Sequence, residues 1–113
     1  MARPTEHNLA DNKPLAYNIH PGEDLKDELE ARNMSQKDLA GLIGFKPSIL
    51  NEIIKGKRSI TPQIALRLEA GLGISADFWL KGQQMYDLFK AREENQETIA
   101  NIQERREEYF RKG

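Results

Sequence analysis

The chain has 113 residues, of which 38% are hydrophobic and 31% charged, so it has room for one modest core and a large solvated surface. It contains no cysteine, which excludes disulfides, zinc–thiolate sites and thiol catalysis and fits a reducing compartment. A net charge of −1 is not typical of a free-standing DNA-binding protein, so the distribution of charge is more informative than its sum.

Residues 1–19 are expected to form a flexible N-terminal arm, because Pro, Asn, Asp and Lys are mixed there with few apolar anchors. Leu15, Tyr17 and Ile19 alternate as in a short strand that could extend a partner's sheet, although a ragged end is the simpler interpretation. The arm lacks the apolar segment of a signal peptide, and no run is long enough to span a membrane. We therefore expect a cytoplasmic protein without a membrane partner.

A first helix is predicted from His20-Pro21 to about Asn33, with acidic residues in its first turns, where the helix dipole favours them. Leu25 and Leu29 form its inward stripe. Its carboxylates are interpreted as a solvated acidic face and not as a metal site, because nothing nearby supplies the other ligands.

The segment from Ser35 to Ser59 predicts two short amphipathic helices joined by a turn at Gly44 and followed by a basic loop, which is a helix-turn-helix. Ala40 is small enough to let the two helices cross closely, and Gly44 suits the left-handed residue that ends the first helix. Pro47 fits the first position of the second helix. Because such short helices cannot bury their apolar faces alone, each is expected to pack on the other.

The residues left outward on the second helix are candidates for contact with base edges in the major groove. Asn51 could pair with adenine, Ile49 could touch a thymine methyl, and Glu52 could accept a hydrogen bond from cytosine N4. Four cationic residues and one acidic residue lie between positions 46 and 58, which concentrates positive charge on this face. The complete predicted DNA-binding set is Gln36, Lys46, Ser48, Ile49, Asn51, Glu52, Lys55, Lys57 and Arg58, in which Gln36 and the basic residues would hold phosphates.

A fourth helix is predicted to begin at Thr61-Pro62, with Thr61 as its cap, and to end at Gly71 and Gly73. Ser75 is expected to cap a fifth helix that carries most of the aromatic side chains. These aromatic residues could bind a ligand, but core or dimer packing is the preferred interpretation. The predicted dimer interface consists of Phe78, Trp79, Met85, Tyr86 and Phe89.

Residues 91–113 have high helix propensity but are nearly all polar, apart from a thin stripe that includes Ile99, Ile102 and Tyr109. We expect a charged helical C-terminal extension. It could extend the fifth helix, pair with a second copy, or become ordered on a partner.

Within the predicted DNA-binding domain of residues 20–90, a series of short motifs occurs in a fixed order: His20-Pro21-Gly22-Glu23, the Ser35–Ala40 helix, Gly56–Pro62, Ala65–Leu68, Asp77–Leu80 and Tyr86–Leu88. From His20 to about Leu88, this series resembles the HigA (VapI-like) antitoxins of the Xre helix-turn-helix class. This sequence departs from the family pattern at Lys46, Pro47 and Glu52, so the bases that are read cannot be transferred.

The resemblance implies an all-α, five-helix lambda-repressor-like domain that forms a homodimer and binds a palindromic operator in double-stranded DNA. It also implies a toxin partner of the HigB type, a small ribonuclease that the antitoxin holds inactive. No cofactor is expected.

The near-neutral charge and the acidic Glu52 would also fit a protein-binding adaptor with a vestigial helix-turn-helix. A stand-alone transcriptional regulator with no toxin is a further alternative. An enzyme is not expected, because the only histidines are His7 and His20 and no catalytic set is placed by spacing.

Overall fold

The computed structural model describes residues 19–112, so the predictions made for residues 1–18 lie outside the described part. That part contains six helices and no strand, which confirms an all-α fold. The helices are α1 (Pro21–Ala31), α2 (Gln36–Ile43), α3 (Pro47–Ile54), α4 (Pro62–Leu72), α5 (Ala76–Glu94) and α6 (Gln96–Lys112).

The helix starts follow from short-range side-chain chemistry. The hydroxyl of Ser35 accepts a hydrogen bond from the backbone N–H of Asp38, whose carboxylate accepts one from the Ser35 N–H, so α2 opens with a capping box. Thr61 and Ser75 cap α4 and α5 as the sequence predicts. The imidazole of His20 caps α1 by accepting a hydrogen bond from Gly22 at 2.9 Å.

One apolar core joins α1 to α5. Leu25, Leu39, Leu50, Leu68 and Trp79 are all fully buried in it. Helices α2 and α3 pack on each other, and each also packs on another helix, α2 on α4 and α3 on α1. The helix-turn-helix is therefore held between two supporting helices.

The end of α4 corrects one expectation. Gly73, with a φ of 76°, is the residue that ends the helix, whereas Gly71 lies inside it. A Cβ on Gly71 would lie 2.6 Å from a methyl carbon of Ile43, so this glycine allows α4 to approach α2 closely. Its role is packing and not helix termination.

Helix α5 runs beyond the core to Glu94, where a break at Asn95 separates it from α6. Every residue of α6 is exposed, and among the described helices only α5 makes more than marginal contact with it. The described chain is consequently elongated, with extents of 61 × 31 × 20 Å.

Candidate nucleic-acid interface

The turn between α2 and α3 has the geometry that the sequence predicts. Gly44 adopts a φ of 78°, and its N–H bonds the carbonyl oxygen of Ala40 at 2.9 Å. Pro47 occupies the start of α3, where the preceding Lys46 supplies no side-chain cap. Ala40 is buried, which is consistent with close crossing of the two helices.

The predicted DNA-contacting side chains lie on α3, on the loop after it and at the start of α2. Five are exposed: Lys46, Ser48, Lys55, Lys57 and Arg58. Gln36, Ile49, Asn51 and Glu52 are partly buried. The structure thus leaves this surface accessible, but it engages several of its members in contacts within the chain.

Three of these internal contacts change what the side chains offer. Ile49 packs partly against the core, so only part of its surface is available to a ligand. Gln36 accepts a hydrogen bond from the amide nitrogen of Asn51 at 3.3 Å, which joins the start of α2 to the middle of α3. Glu52 accepts a hydrogen bond from Arg58 Nε at 2.8 Å and lies 2.7 Å from Arg58 Nη2.

The basic loop after α3 is attached to the rest of the domain on two sides. Gln83 of α5 is buried, and its side-chain oxygen accepts the Ile60 N–H at 2.8 Å. The amide nitrogen of Gln83 donates to Asp87 at 2.9 Å, which fixes the orientation of the amide. On the other side, His20 borders the loop, because its Cβ lies 3.7 Å from the place that a Cβ on Gly56 would occupy. The loop that carries Lys57 and Arg58 is therefore contacted by α5 and by the residue that caps α1.

His20 connects α1, this loop and α5. Its ring meets Tyr86 edge to face, with 5.0 Å between the centroids. Burial lowers the pKa of His20, against opposing effects from Asp87, the backbone of Arg58 and Glu23. The neutral ring is the form that can accept the Gly22 N–H, so the lowered pKa preserves the cap of α1.

Arg67 of α4 is a second support that the sequence analysis missed. Its Nη1 donates to the carbonyl oxygens of Ile43 at 2.8 Å and of Gly44 at 3.4 Å. The guanidinium also lies 4.7 Å from the ring centroid of Phe45. Arg67 thereby satisfies carbonyls that the end of α2 leaves free and fixes the turn into α3. No local pattern marks it, because its partners lie 22 to 24 residues earlier in the chain.

The five predicted dimer residues separate into different environments. Trp79 is fully buried within a single chain, so its indole offers no surface for the predicted dimer contact in this structure. Phe78 packs against the core and makes an edge contact with Trp79. Tyr86 is partly covered by its contact with His20.

Met85 and Phe89 instead line a cleft of about 670 Å³ between α5 and α6. The other residues that line it are Leu88, Arg92, Glu93, Gln96, Ile99, Ala100 and Gln103. Leu88 is 48% exposed, so this cleft presents apolar surface to solvent.

Within residues 19–112, no group of acidic or histidine side chains is arranged to hold a metal ion. The same part of the chain contains no helix that is long and apolar enough to cross a membrane.

The glycine turn between two closely packed short helices, with an exposed face on the second, defines a helix-turn-helix protein. The helix-turn-helix family model matches residues 25–79. Virulence-associated protein I of Dichelobacter nodosus is 42% identical over 79 residues, covering 69% of this chain and 73% of that protein. Antitoxin HigA-1 of Vibrio cholerae is 36% identical over 80 residues, covering 70% and 75%.

A solved structure of antitoxin HigA of Pseudomonas aeruginosa with the higBA promoter superimposes with a TM-score of 0.69 at 35% identity, covering 73% of this chain and 90% of that one. The chain belongs to the helix-turn-helix family that contains the HigA antitoxins and the VapI-like proteins. This family is one of DNA-binding antitoxins and regulators and not an enzyme family.

Proposed function

We propose that this protein is a sequence-specific DNA-binding antitoxin that represses its own operon as a dimer and neutralises a HigB-type ribonuclease toxin. The observation that carries the DNA-binding part is the shared surface formed by the outer face of α3 and the basic loop after it. The related antitoxin HigA of Pseudomonas aeruginosa has been solved with the higBA promoter, which supports DNA binding by this chain.

In this proposal, Ser48 and Asn51 contact base edges from α3, which lies in the major groove. Lys46 and Lys57 flank the helix and bind phosphates, which sets the register of the protein on the duplex. Gln36 orients Asn51 through their hydrogen bond and is also placed for a phosphate at the start of α2.

Binding to the upstream region of its own gene tests the DNA-binding proposal. Asn51→Ala should weaken binding to the operator more than binding to a scrambled duplex, whereas Lys57→Ala should weaken both. Lys57→Ala should also reduce the log–log salt slope by about one unit, as expected for the loss of one phosphate contact. Lys112→Ala, a matched loss of charge at the end of α6, serves as the control. Undiminished binding by Asn51→Ala and Lys57→Ala would remove this surface as the interface.

The dimer is proposed to form through the face of α5 that borders the cleft, including Met85, Leu88 and Phe89. Two copies are needed to place two recognition helices about one turn of DNA, roughly 34 Å, apart on a palindromic site. Sedimentation equilibrium should show a dimer that Leu88→Glu converts to a monomer, because a charge would enter an apolar interface. A wild-type monomer at micromolar concentration would contradict this part of the proposal.

The toxin is proposed from family membership, since relatives carry the name antitoxin. Co-expression with the product of the adjacent reading frame provides the test. Rescue of growth together with co-purification would support an antitoxin. A neighbouring gene whose product is neither toxic nor bound would leave a DNA-binding regulator without a toxin.

A further inference from the structure

We propose that Arg58 is a base-reading residue directed at guanine and that Glu52 is the residue that positions it. This inference rests on the proposed DNA-binding function. It replaces the expectations that Arg58 holds a phosphate and that Glu52 accepts a hydrogen bond from cytosine.

The first step is the geometry of the pair. Glu52 Oε1 lies 2.8 Å from Nε and 2.7 Å from Nη2 of Arg58, so the carboxylate contacts one edge of the guanidinium. A guanidinium carries five N–H donors in a rigid plane. Two are directed at Glu52, which leaves the Nη1 group and one Nη2 proton free of this carboxylate. This remaining end of the plane matches the paired acceptors O6 and N7 of guanine.

The second step is position. Glu52 lies on α3 next to Asn51, so the pair draws the Arg58 side chain from the loop back beside the recognition helix. Both side chains of the pair remain nearly half exposed, at 45% and 46%, so a ligand can reach the guanidinium.

The third step is charge. A phosphate brought to Arg58 would also approach the carboxylate of Glu52, which repels it. The edge of a guanine offers acceptors that carry no full charge, so it satisfies the same donors with much less repulsion. Lys57, whose side chain has no such carboxylate partner among the described contacts, is better suited to a phosphate.

The fourth step compares the effect of the ion pair on folding stability with its effect on DNA binding. An exposed ion pair contributes little to folding stability, so stability does not account for it. Holding an arginine in its bound conformation instead reduces the conformational entropy lost on binding. Orientation of Arg58 for contact with a base therefore explains the ion pair better than stabilisation of the fold does.

Selection from a randomised duplex library, carried out with the full chain, tests the assignment. Wild-type protein should enrich a site that contains a required guanine. Arg58→Lys should lose that guanine preference by about ten-fold or more, because lysine cannot present two parallel donors. Glu52→Gln should keep the melting temperature and the affinity for scrambled DNA, or raise that affinity, while the guanine preference falls several-fold.

Lys57→Ala is the matched control and should weaken selected and scrambled duplexes equally while keeping the same preferred bases. If Arg58→Lys selects the same bases as wild type and weakens all duplexes alike, Arg58 is a phosphate contact and the inference is overturned. A guanine preference that survives in Glu52→Gln would remove the positioning role of Glu52. If wild-type protein enriches no sequence, the proposed function fails together with this inference.

Discussion

Gly22 is the position where a single methyl group should most disturb the support of the recognition helix. It lies in the first turn of α1, directly against the backbone of Ile53 at the end of α3. A Cβ on Gly22 would lie 2.7 Å from the carbonyl carbon of Ile53 and closer still to its oxygen. Since both obstructing atoms belong to the backbone, no side-chain rotation can relieve the clash.

The structure gives the scale of the effect of Gly22→Ala. Ordinary van der Waals contact begins near 3.4 Å, so α1 and α3 must separate by at least about 0.7 Å, and by more to clear the oxygen. Overpacking of this kind costs about 1–3 kcal/mol. For a domain of this size, that lowers the melting temperature by roughly 5 to 20 °C.

Gly41→Ala is the matched control, because it adds the same methyl group to the interior of α2, where no heavy atom other than those of the adjacent helix backbone and the two neighbouring residues lies within 4 Å. Alanine is favoured over glycine inside a helix by about 0.5–1 kcal/mol, so this variant should melt higher than wild type. Thermal unfolding followed by circular dichroism measures both. If Gly22→Ala melts within about 2 °C of wild type while Gly41→Ala behaves as expected, the close approach of α1 to α3 is refuted.

Three further variants test the supports of the interface. Gln83→Met leaves the buried N–H of Ile60 without its acceptor, so the free energy of unfolding in urea should fall by about 1–3 kcal/mol. An unchanged urea midpoint would show that the stability of the loop does not depend on this hydrogen bond. Arg67→Met keeps the aliphatic part of the side chain but loses the hydrogen bond to the Ile43 carbonyl. The free energy of unfolding in urea should fall by about 1–2 kcal/mol. A smaller decrease would show that the end of α2 is stable without this hydrogen bond. Because the pKa of His20 is lower in the folded state than in the unfolded one, its contribution to stability is fully present above about pH 6.5 and is lost as the pH falls toward the folded-state pKa. His20→Asn keeps a cap acceptor and should flatten this part of the stability–pH profile, whereas an identical profile would assign the dependence to other groups.

The elements of the helix-turn-helix could be predicted because their signals are local. Gly44 ends α2, Pro47 begins α3, and Thr61 and Ser75 cap the two helices that follow. Each signal acts within about four residues of the chain. The periodicity of the apolar residues then indicates which helix faces pack together. For the same reason, the exposed character of Lys46, Ser48 and Lys57 could be anticipated.

The supports of the interface could not be predicted, because they join residues that only the folded topology brings together. Arg67 reaches the carbonyl of Ile43 across 24 positions, and Gln83 reaches Ile60 across 23. In the sequence both are polar residues on amphipathic helices, where exposure is the ordinary expectation. Only the packing of α4 and α5 onto the motif shows that their side chains turn toward backbone groups that would otherwise lack partners.

Trp79 and Leu88 show why helix α5 was harder to interpret than α3. Both are large apolar residues on one helix, yet Trp79 is fully buried and Leu88 is 48% exposed. The helix changes environment along its length: its first half completes the core and its second half projects beyond it beside α6. The spacing of apolar residues in the sequence indicates that one face of a helix is apolar, but it does not indicate how much of that face the neighbouring helices cover. The part of α5 proposed to meet a second copy therefore includes the exposed Leu88 and not the buried Trp79, and this difference can be located only in the folded chain.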